Sequence, residues 1–266
     1  MNILEKCNVQ RQGKHGPTLV FGHGLGIDQN VWRLVAPMFA STHHVVLFDY
    51  VGCGQSQKSA FDVNRYRTLA GYAEDLLEIC ATVAHDDVIF VGHSVSAMVG
   101  VHALVQAPAA FRKFVMLGAS PCYLNQPGYP GGFAREDIDA LLAALRHDLA
   151  SWAESMGPVL VGRDNQPQLI REMSATFARN DHDIMYHFAQ VTLLSDSRPL
   201  LPHVHVPTCV IQGHQDAFVP DAIGAYVHQH IPHSKFVQLP VTGHCPQLVD
   251  PTTTAAAIQS YIENNG

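Results

Sequence analysis

The chain has 266 residues, of which 47% are hydrophobic and 15% are charged, and this composition excludes an intrinsically disordered protein. The formal net charge is −7 and no block of basic residues is present, which argues against nucleic-acid and anionic-membrane binding. No apolar run approaches the roughly 18 residues that span a bilayer, and residues 1–10 lack a signal core, so we expect a cytoplasmic protein without membrane contact.

Short apolar runs that are rich in β-branched and aromatic residues recur along the chain, bounded by Gly, Asp, His or Pro. Such runs predict buried strands of a parallel sheet that is covered on both faces. Apolar residues at helical spacing over residues 69–84 predict a helix between two of these strands. The alternation indicates an α/β fold with a mostly parallel, doubly wound sheet. The predicted strands cover residues 18–21, 45–48, 88–91, 114–117, 208–211 and 236–239.

The segment of residues 121–202 interrupts this alternation, because it contains helical patterns and no convincing strand pattern. The predicted helices cover residues 138–149, 152–160, 168–180 and 184–194. We therefore expect residues 1–120 and 203–266 to form the core, with residues 121–202 inserted as a helical cap. A cap over the strand ends would shape a pocket and limit the access of water.

The predicted strand at residues 88–91 continues directly into Gly92-His93-Ser94-Val95-Ser96, and an apolar helical pattern follows. A strand, a sharp turn and a helix are the context of a nucleophile elbow, in which Ser94 would be the nucleophile. Ser96 departs from the usual pattern G-x-S-x-G, although serine is also small. The alternative interpretation of Ser94 is an ordinary helix N-cap.

A serine nucleophile needs a base, and the base needs an acid that orients it. In an elbow of this kind the chain order is Ser, then Asp or Glu, then His. Asp216 and His244 fit that order, and each follows a predicted strand, where parallel sheets bind ligands. Asp221 is the alternative acid, and Asp216 would then be a loop cap.

A glycine-rich loop, residues 21–26 (FGHGLG), follows the first predicted strand. Backbone amides in such a loop, together with the amide after the nucleophile, commonly bind the oxyanion of acyl transfer. Leu25 and Val95 are the predicted donors. A nucleotide-binding loop is disfavoured, because the G-x-G-x-x-G spacing and a P-loop lysine are both missing.

The chain also contains 17 histidines and six cysteines, without a CxxC or HExxH pattern. This distribution favours reduced, unpaired thiols and surface histidines over a structural zinc site. We expect no metal and no organic cofactor.

Several segments carry a resemblance that extends over nearly the whole chain. It rests on FGHGLGIDQNVW, LFDYVGCGQS, FVGHSVSAM, SPCYLN and the GHCP of residues 243–246. The chain resembles the RsbQ-like α/β-hydrolases of bacterial energy-stress signalling and the plant strigolactone and karrikin receptor hydrolases. The GHSVS elbow and the DQ-x-x-W segment are typical of this group.

The resemblance implies an α/β-hydrolase core, a four-helix cap over a hydrophobic pocket, and a triad at Ser94, Asp216 and His244. It also implies a PAS-containing phosphatase as a partner in the RsbQ case. Leu25 and Leu193 occupy positions where related proteins often carry Phe, which implies a pocket of altered shape. For the cap side chains, packing between helices is the alternative interpretation. The implied pocket residues are Leu25, Phe133, Trp152, Met156, Leu193 and Phe218.

The sequence thus predicts a serine hydrolase that cleaves a small, mostly apolar ester or lactone. No clamp for a charged group is evident, since Arg163 and Arg198 are explained by surface solvation. A signalling hydrolase and a metabolic carboxylesterase or lactonase without a partner remain open. A carbon–carbon bond hydrolase uses the same triad and also stays open. A binding module with an inactive triad is less favoured, because all three triad residues are present.

Overall fold

A seven-stranded sheet forms the centre of the protein in a computed structural model that describes residues 2–84, 88–162 and 166–264. The strand order is β1-β3-β2-β4-β5-β6-β7, and every neighbouring pair is parallel except β1 with β3. The predicted mostly parallel α/β fold is therefore confirmed. The strands are β1 Gln10–Gln12, β2 Thr18–Gly22, β3 His44–Leu47, β4 Val88–His93, β5 Phe111–Leu117, β6 Thr208–His214 and β7 Lys235–Thr242.

Ten α-helices are found among the described residues, together with five short 3₁₀ helices. The helices are α1 Ile3–Lys6, α2 Leu69–Val83, α3 Val95–Gln106, α4 Arg135–His147, α5 Leu149–Val161, α6 Pro167–Ala178, α7 His182–Leu194, α8 Asp221–His230, α9 Pro246–Val249 and α10 Pro251–Glu263. The 3₁₀ helices are Gln29–Trp32, Ala36–Phe39, Lys58–Ala60, Pro108–Ala110 and Arg198–His203. No helix in the described ranges is long and apolar enough to cross a membrane.

The central strands are buried on both faces, which explains their continuous apolar runs. Alternate residues point to opposite sides of the sheet. Val20 and Phe90 belong to a core layer that also contains residues of α2, α3 and α8. Leu19 and Val91 belong to the opposite layer, with residues of α10 and of the helices α4–α7. The sheet is therefore covered by helices on both sides, as a doubly wound fold requires.

The direction of chain winding reverses between β2 and β4, which lie side by side although β3 lies between them in sequence. Gly22 at the end of β2 is in register with Gly92 near the end of β4. Loops that leave adjacent parallel strands at such a switch point diverge and form a crevice, which is where open α/β sheets bind ligands. The glycine-rich loop of residues 21–26 and the turn at Ser94, both singled out in the sequence, leave the sheet at this point.

Helices α4 to α7 occupy the segment between β5 and β6, which contains no strand among its described residues. Helix α5 packs on α6, and α4 packs on α7 and on α5. Several polar contacts connect this helical layer to the rest of the protein; for example, Arg33 pairs with Glu172 at 2.5 Å, and Nε2 of His187 bonds to the carbonyl of Tyr66 at 2.9 Å. Arg163 lies outside the described residues, and Arg198 pairs with Asp196 at 2.6 Å.

Candidate active site

Ser94 occupies the turn between β4 and α3 with φ 56° and ψ −122°, a backbone conformation that is strained for any residue except glycine. The amide of Ser94 donates a hydrogen bond of 2.8 Å to the carbonyl of Leu117, and this bond holds the backbone in its sharp turn. Gly92 must be small, since a Cβ there would lie 2.7 Å from the backbone of Ser96. The arrangement projects the Ser94 hydroxyl from the end of the strand.

Three buried side chains form a continuous hydrogen-bonded chain at this turn. Oγ of Ser94 lies 2.7 Å from Nε2 of His244, and Nδ1 of His244 lies 2.6 Å from Oδ2 of Asp216. Each of the three residues is at most 7% exposed. With Nδ1–H donating to the carboxylate, Nε2 carries the lone pair that can accept the serine proton.

Backbone amides fix the carboxylate of Asp216. Oδ1 accepts hydrogen bonds from the amides of Phe218 at 2.8 Å and Val219 at 3.1 Å, which leaves Oδ2 for His244. Asp221, the alternative acid, begins helix α8, and its carboxylate lies 3.8 Å from the imidazole of His214. In this geometry Asp216, and not Asp221, is the partner of His244.

His93, next to the serine, supports the loop of His244 from below. Its Nε2–H donates to the carbonyl of His244 at 2.8 Å, and the two rings lie 5.1 Å apart. Burial lowers the pKa of His93 to about 3, with a further lowering from His244. His93 is therefore neutral at pH 7, and adds no positive charge beside His244. Sequence reasoning passed over this residue, because its role depends on a contact with a distant loop.

The loop after β2 contributes Leu25 to the site. The ring of His23 fixes the preceding peptide: Nδ1–H donates to the carbonyl of Gly24 at 2.8 Å, and Nε2 accepts from the amide of Tyr50 at 3.0 Å. The carbonyl and the following amide of a trans peptide point in opposite directions. Because the Gly24 carbonyl points towards His23, the Leu25 amide of the same peptide points away from His23. Val95 is the first residue of α3, where helix amides have no intrahelical partner.

A mostly apolar cavity opens beside Ser94 under the helical layer. Among the residues predicted for the pocket, Leu25, Trp152, Leu193 and Phe218 line it. Phe133 and Met156 do not, since Phe133 packs behind Phe218 with ring centres 5.6 Å apart, and Met156 is buried in the adjacent core. The described residues that line it are Gly24, Leu25, Ile27, His93, Ser94, Tyr123, Leu141, Leu142, Leu145, Trp152, Leu160, Phe177, Ala189, Thr192, Leu193, Phe218, His244 and Cys245.

Tyr123 is a cavity residue that the sequence patterns did not single out. Burial raises the pKa of its phenol to about 12, and the neighbouring Ser94 hydroxyl partly offsets this rise. The phenol is therefore protonated at neutral pH and provides a polar group beside the serine. Its only signal in the sequence is its place in the segment SPCYLN.

The described residues contain no group of three or more His, Cys, Asp or Glu side chains that could hold a metal ion. The six cysteines are buried and free. Cys245 follows His244 and lines the cavity, but burial holds the pKa of its thiol well above the usual range. Ser94, His244 and Asp216 are thus the candidate reactive groups of this site.

Comparison with known proteins gives matches over almost the whole chain. Residues 17–251 match the family model described as alpha/beta hydrolase fold. The chain is 39% identical to karrikin insensitive 2 receptor CA of Petunia hybrida, over 100% of this chain and 99% of the relative. It is 38% identical to a strigolactone esterase of Arabidopsis thaliana, over 98% of each chain. The similarity to plant receptor hydrolases predicted from the motifs is confirmed.

A solved structure, that of a hydrolase from Oleispira antarctica, superimposes with a TM-score of 0.96 at 32% identity. The match covers 99% of this chain and 97% of that chain, so it includes the helices between β5 and β6.

Proposed function

Because the chain belongs to the alpha/beta hydrolase fold family, we propose that it cleaves small, mostly apolar esters or lactones with Ser94 as the nucleophile. Two relatives of the chain are named as esterases, which supports a hydrolase of the esterase type. The observation that carries the assignment is the buried chain of hydrogen bonds from Ser94 through His244 to Asp216.

In the first half of the reaction, Nε2 of His244 accepts the proton of Ser94 while Oγ attacks the carbonyl carbon. The carbonyl oxygen becomes an oxyanion, which the amides of Leu25 and Val95 stabilise. His244 then gives its proton to the leaving alkoxide, and an acyl-enzyme remains. Asp216 keeps His244 in the productive tautomer and stabilises its protonated form.

In the second half, a water molecule loses a proton to His244 and attacks the acyl carbon. The acid is released, and the proton returns from His244 to Ser94. The mechanism requires neutral His244 at the start of both halves of the reaction.

The cavity supports a small and mostly apolar substrate. Its wall is built mainly from aliphatic and aromatic side chains of the helical layer, such as Leu142, Trp152 and Leu193. No Lys or Arg is found among the described residues that line it. A charged substrate group would lose its hydration there without gaining a partner, which costs several kcal/mol.

We propose that the helical cap that forms this wall extends over residues 121–202.

Turnover of a short chromogenic ester by the wild type and by Ser94→Ala tests the proposal. The variant should lose a thousandfold or more in kcat and the pre-steady-state burst of alcohol. Ser197→Ala is the matched control, because Ser197 is likewise a buried serine and lies outside the cavity. Equal rates for the wild type and Ser94→Ala would refute the proposal.

A signalling hydrolase with slow turnover is the second candidate, and it is favoured by the receptor of 39% identity that matches the whole chain. In this case a PAS-containing phosphatase is the partner to be tested. A fast burst followed by very slow turnover, together with ligand-dependent binding of the purified phosphatase, would support it. Sustained fast turnover of a defined ester would instead support a metabolic carboxylesterase or lactonase.

A further inference from the structure

The loop that carries Leu25 is bound by side chains on both sides of that residue. Oγ of Ser96 donates to the carbonyl of His23 at 2.5 Å, and Nδ2 of Asn180 donates to the carbonyl of Gly26 at 2.7 Å. Ser96 belongs to α3, directly after the elbow, whereas Asn180 follows α6 in the helical layer. Two separate parts of the protein therefore meet on one short loop.

The direction of the hydrogen bonds at Ser96 follows from simple counting. A carbonyl oxygen only accepts, so the single hydroxyl proton of Ser96 goes to His23. The Tyr50 hydroxyl, 2.7 Å from Oγ of Ser96, must then be the donor of the second bond. Tyr50 and Ser96 are both at most 1% exposed. A glycine at position 96, as the common elbow pattern has, would leave both the Tyr50 hydroxyl and the His23 carbonyl without this partner.

The fit of Ser96 depends on Gly22. A Cβ at Gly22 would lie 2.6 Å from Oγ of Ser96, so the glycine at the end of β2 provides the space that the serine fills. The departure of Ser96 from the usual elbow pattern is thus compensated in the adjacent strand.

The loop needs external support because glycines flank Leu25. Gly24 and Gly26 have no side chain to restrict their backbone, and Gly26 adopts φ +67°. A Cβ at Gly26 would lie 2.5 Å from the side chain of Met185, so this position is limited to glycine. A loop with such freedom holds an amide at a defined position only if its neighbouring peptides are fixed, and catalytic donors must be placed to within about 0.5 Å.

We propose that Ser96 and Asn180 are positioning residues of the oxyanion hole, which hold the Leu25 amide through the carbonyls of His23 and Gly26. This inference rests on the proposed esterase function. Neither side chain touches the substrate, since both are absent from the lining of the cavity. Their effect is expected on the transition state, where the oxyanion forms, and not on binding of the neutral ester.

The test compares Ser96→Ala and Asn180→Ala with the wild type, using the same chromogenic ester. Loss of one oxyanion donor costs about 10²–10³ in kcat, so loss of its support should cost on the order of tenfold, with KM within about twofold. Affinity for a trifluoromethyl ketone of the same acyl chain should fall by the same factor. This inhibitor forms a bond from Oγ of Ser94 to the ketone carbon, the proton passes to His244, and the oxygen becomes an oxyanion.

Two matched controls and one double variant separate positioning from folding. Ser197→Ala removes another fully buried serine hydroxyl, and Asn264→Ala removes an asparagine that caps α10 through the carbonyl of Ser260. Both should keep the wild-type kcat and inhibitor affinity. Ser96→Ala combined with Tyr50→Phe removes the orphaned phenol hydroxyl and should recover thermal stability, but not kcat.

Variants with kcat within about twofold of the wild type, or a double variant that recovers kcat along with stability, would overturn the inference. So would a decrease in kcat without loss of affinity for the trifluoromethyl ketone. These outcomes differ from failure of the proposed function, in which Ser94→Ala itself would retain the wild-type rate.

Discussion

The backbone amide of His244 donates a hydrogen bond of 2.8 Å to the carbonyl of Leu160, near the end of helix α5. The loop that carries His244, the proposed catalytic base, is therefore attached to the helical layer as well as to the sheet. Gly243 makes this approach possible, because a Cβ there would lie 2.5 Å from the carbonyl of Val161. The position of His244 relative to Ser94 depends on close packing between the two parts.

Gly243→Ala should impair both stability and catalysis. Gly243 has φ +97°, which disfavours alanine, and the added methyl group would also push α5 away from the loop. We expect a loss of more than about 2 kcal/mol in the free energy of unfolding, from backbone strain combined with overpacking. We also expect kcat to fall at least tenfold, as small displacements of catalytic groups do. Urea denaturation and ester turnover measure the two effects.

Gly128→Ala is the control that measures the cost of backbone strain at a positive φ without overpacking. Gly128 also has a positive φ, +75°, but nothing lies within 4 Å of a Cβ built there. It should lose only about 1 kcal/mol and keep its kcat. If the two alanine variants behave alike, close packing on α5 is not what fixes the loop of His244.

Much of the sheet could be predicted from the sequence, because its central strands are buried on both faces and read as apolar runs. Strand β1 shows the limit of this signal. Its residues Gln10, Arg11 and Gln12 are all exposed, and they pair only with the outer edge of β3. Nothing in their side chains distinguishes such an edge strand from a polar loop, so only the backbone pairing reveals it.

The sequence predicted those residues of the candidate site that are marked by the pattern of their immediate neighbours in the chain. Ser94 is marked by the elbow pattern around it, and His244 by its order and its loop. The contacts of His93 with His244, and of Asn180 with Gly26, join residues far apart in the chain. Such contacts depend on how helices pack on the sheet, and no spacing within the sequence encodes them.

Leu193→Phe should shift the preference of the enzyme towards shorter acyl chains. Leu193 lines the cavity from α7 and is 4% exposed, so a larger ring must occupy space that the substrate uses. Excluding a few methylene groups changes kcat/KM by roughly tenfold or more. The measurement is the ratio of kcat/KM for a hexanoate and an acetate ester, which should decrease in the variant.

Leu194→Phe provides the comparison, since Leu194 is the next residue on the same helix but is 37% exposed. Its ratio should equal that of the wild type. An unchanged ratio in Leu193→Phe would mean that the acyl group does not reach this wall of the cavity.

Asp75→Asn should destabilise the fold without altering catalysis. The carboxylate of Asp75 is 2% exposed and contacts Lys6 at 2.8 Å, Arg65 at 2.6 Å and the hydroxyl of Tyr66 at 2.6 Å. Removing one partner from a buried ionic cluster leaves the others uncompensated, which costs on the order of 3 kcal/mol. Urea denaturation should detect this loss, while kcat stays within about twofold.

Glu74→Gln tests whether burial is the cause. Glu74 pairs with the same arginine at 3.3 Å, but its side chain is 50% exposed. An exposed pair contributes at most about 1 kcal/mol, so this variant should remain close to the wild type. Equal losses for the two substitutions would show that Arg65, and not the buried carboxylate, determines the effect.

His93→Gln should reduce the acid sensitivity of folding. The pKa of His93 is lowered to about 3 by burial, against about 6.5 in the unfolded chain. Between these values the unfolded state binds one more proton, so stability falls as pH falls, by about 1.4 kcal/mol per pH unit from this group. Above about pH 6.5 the contribution of His93 to the free energy of unfolding no longer changes with pH. Glutamine does not titrate, so the His93→Gln variant should lose this part of the pH dependence of stability, although it starts from a lower stability at pH 7.

The free energy of unfolding measured by urea at pH 7, 6 and 5 gives the slope for the wild type and for His93→Gln, with His15→Gln, at an exposed histidine, as the control. Parallel curves for the wild type and His93→Gln would mean that His93 is not held neutral by the fold.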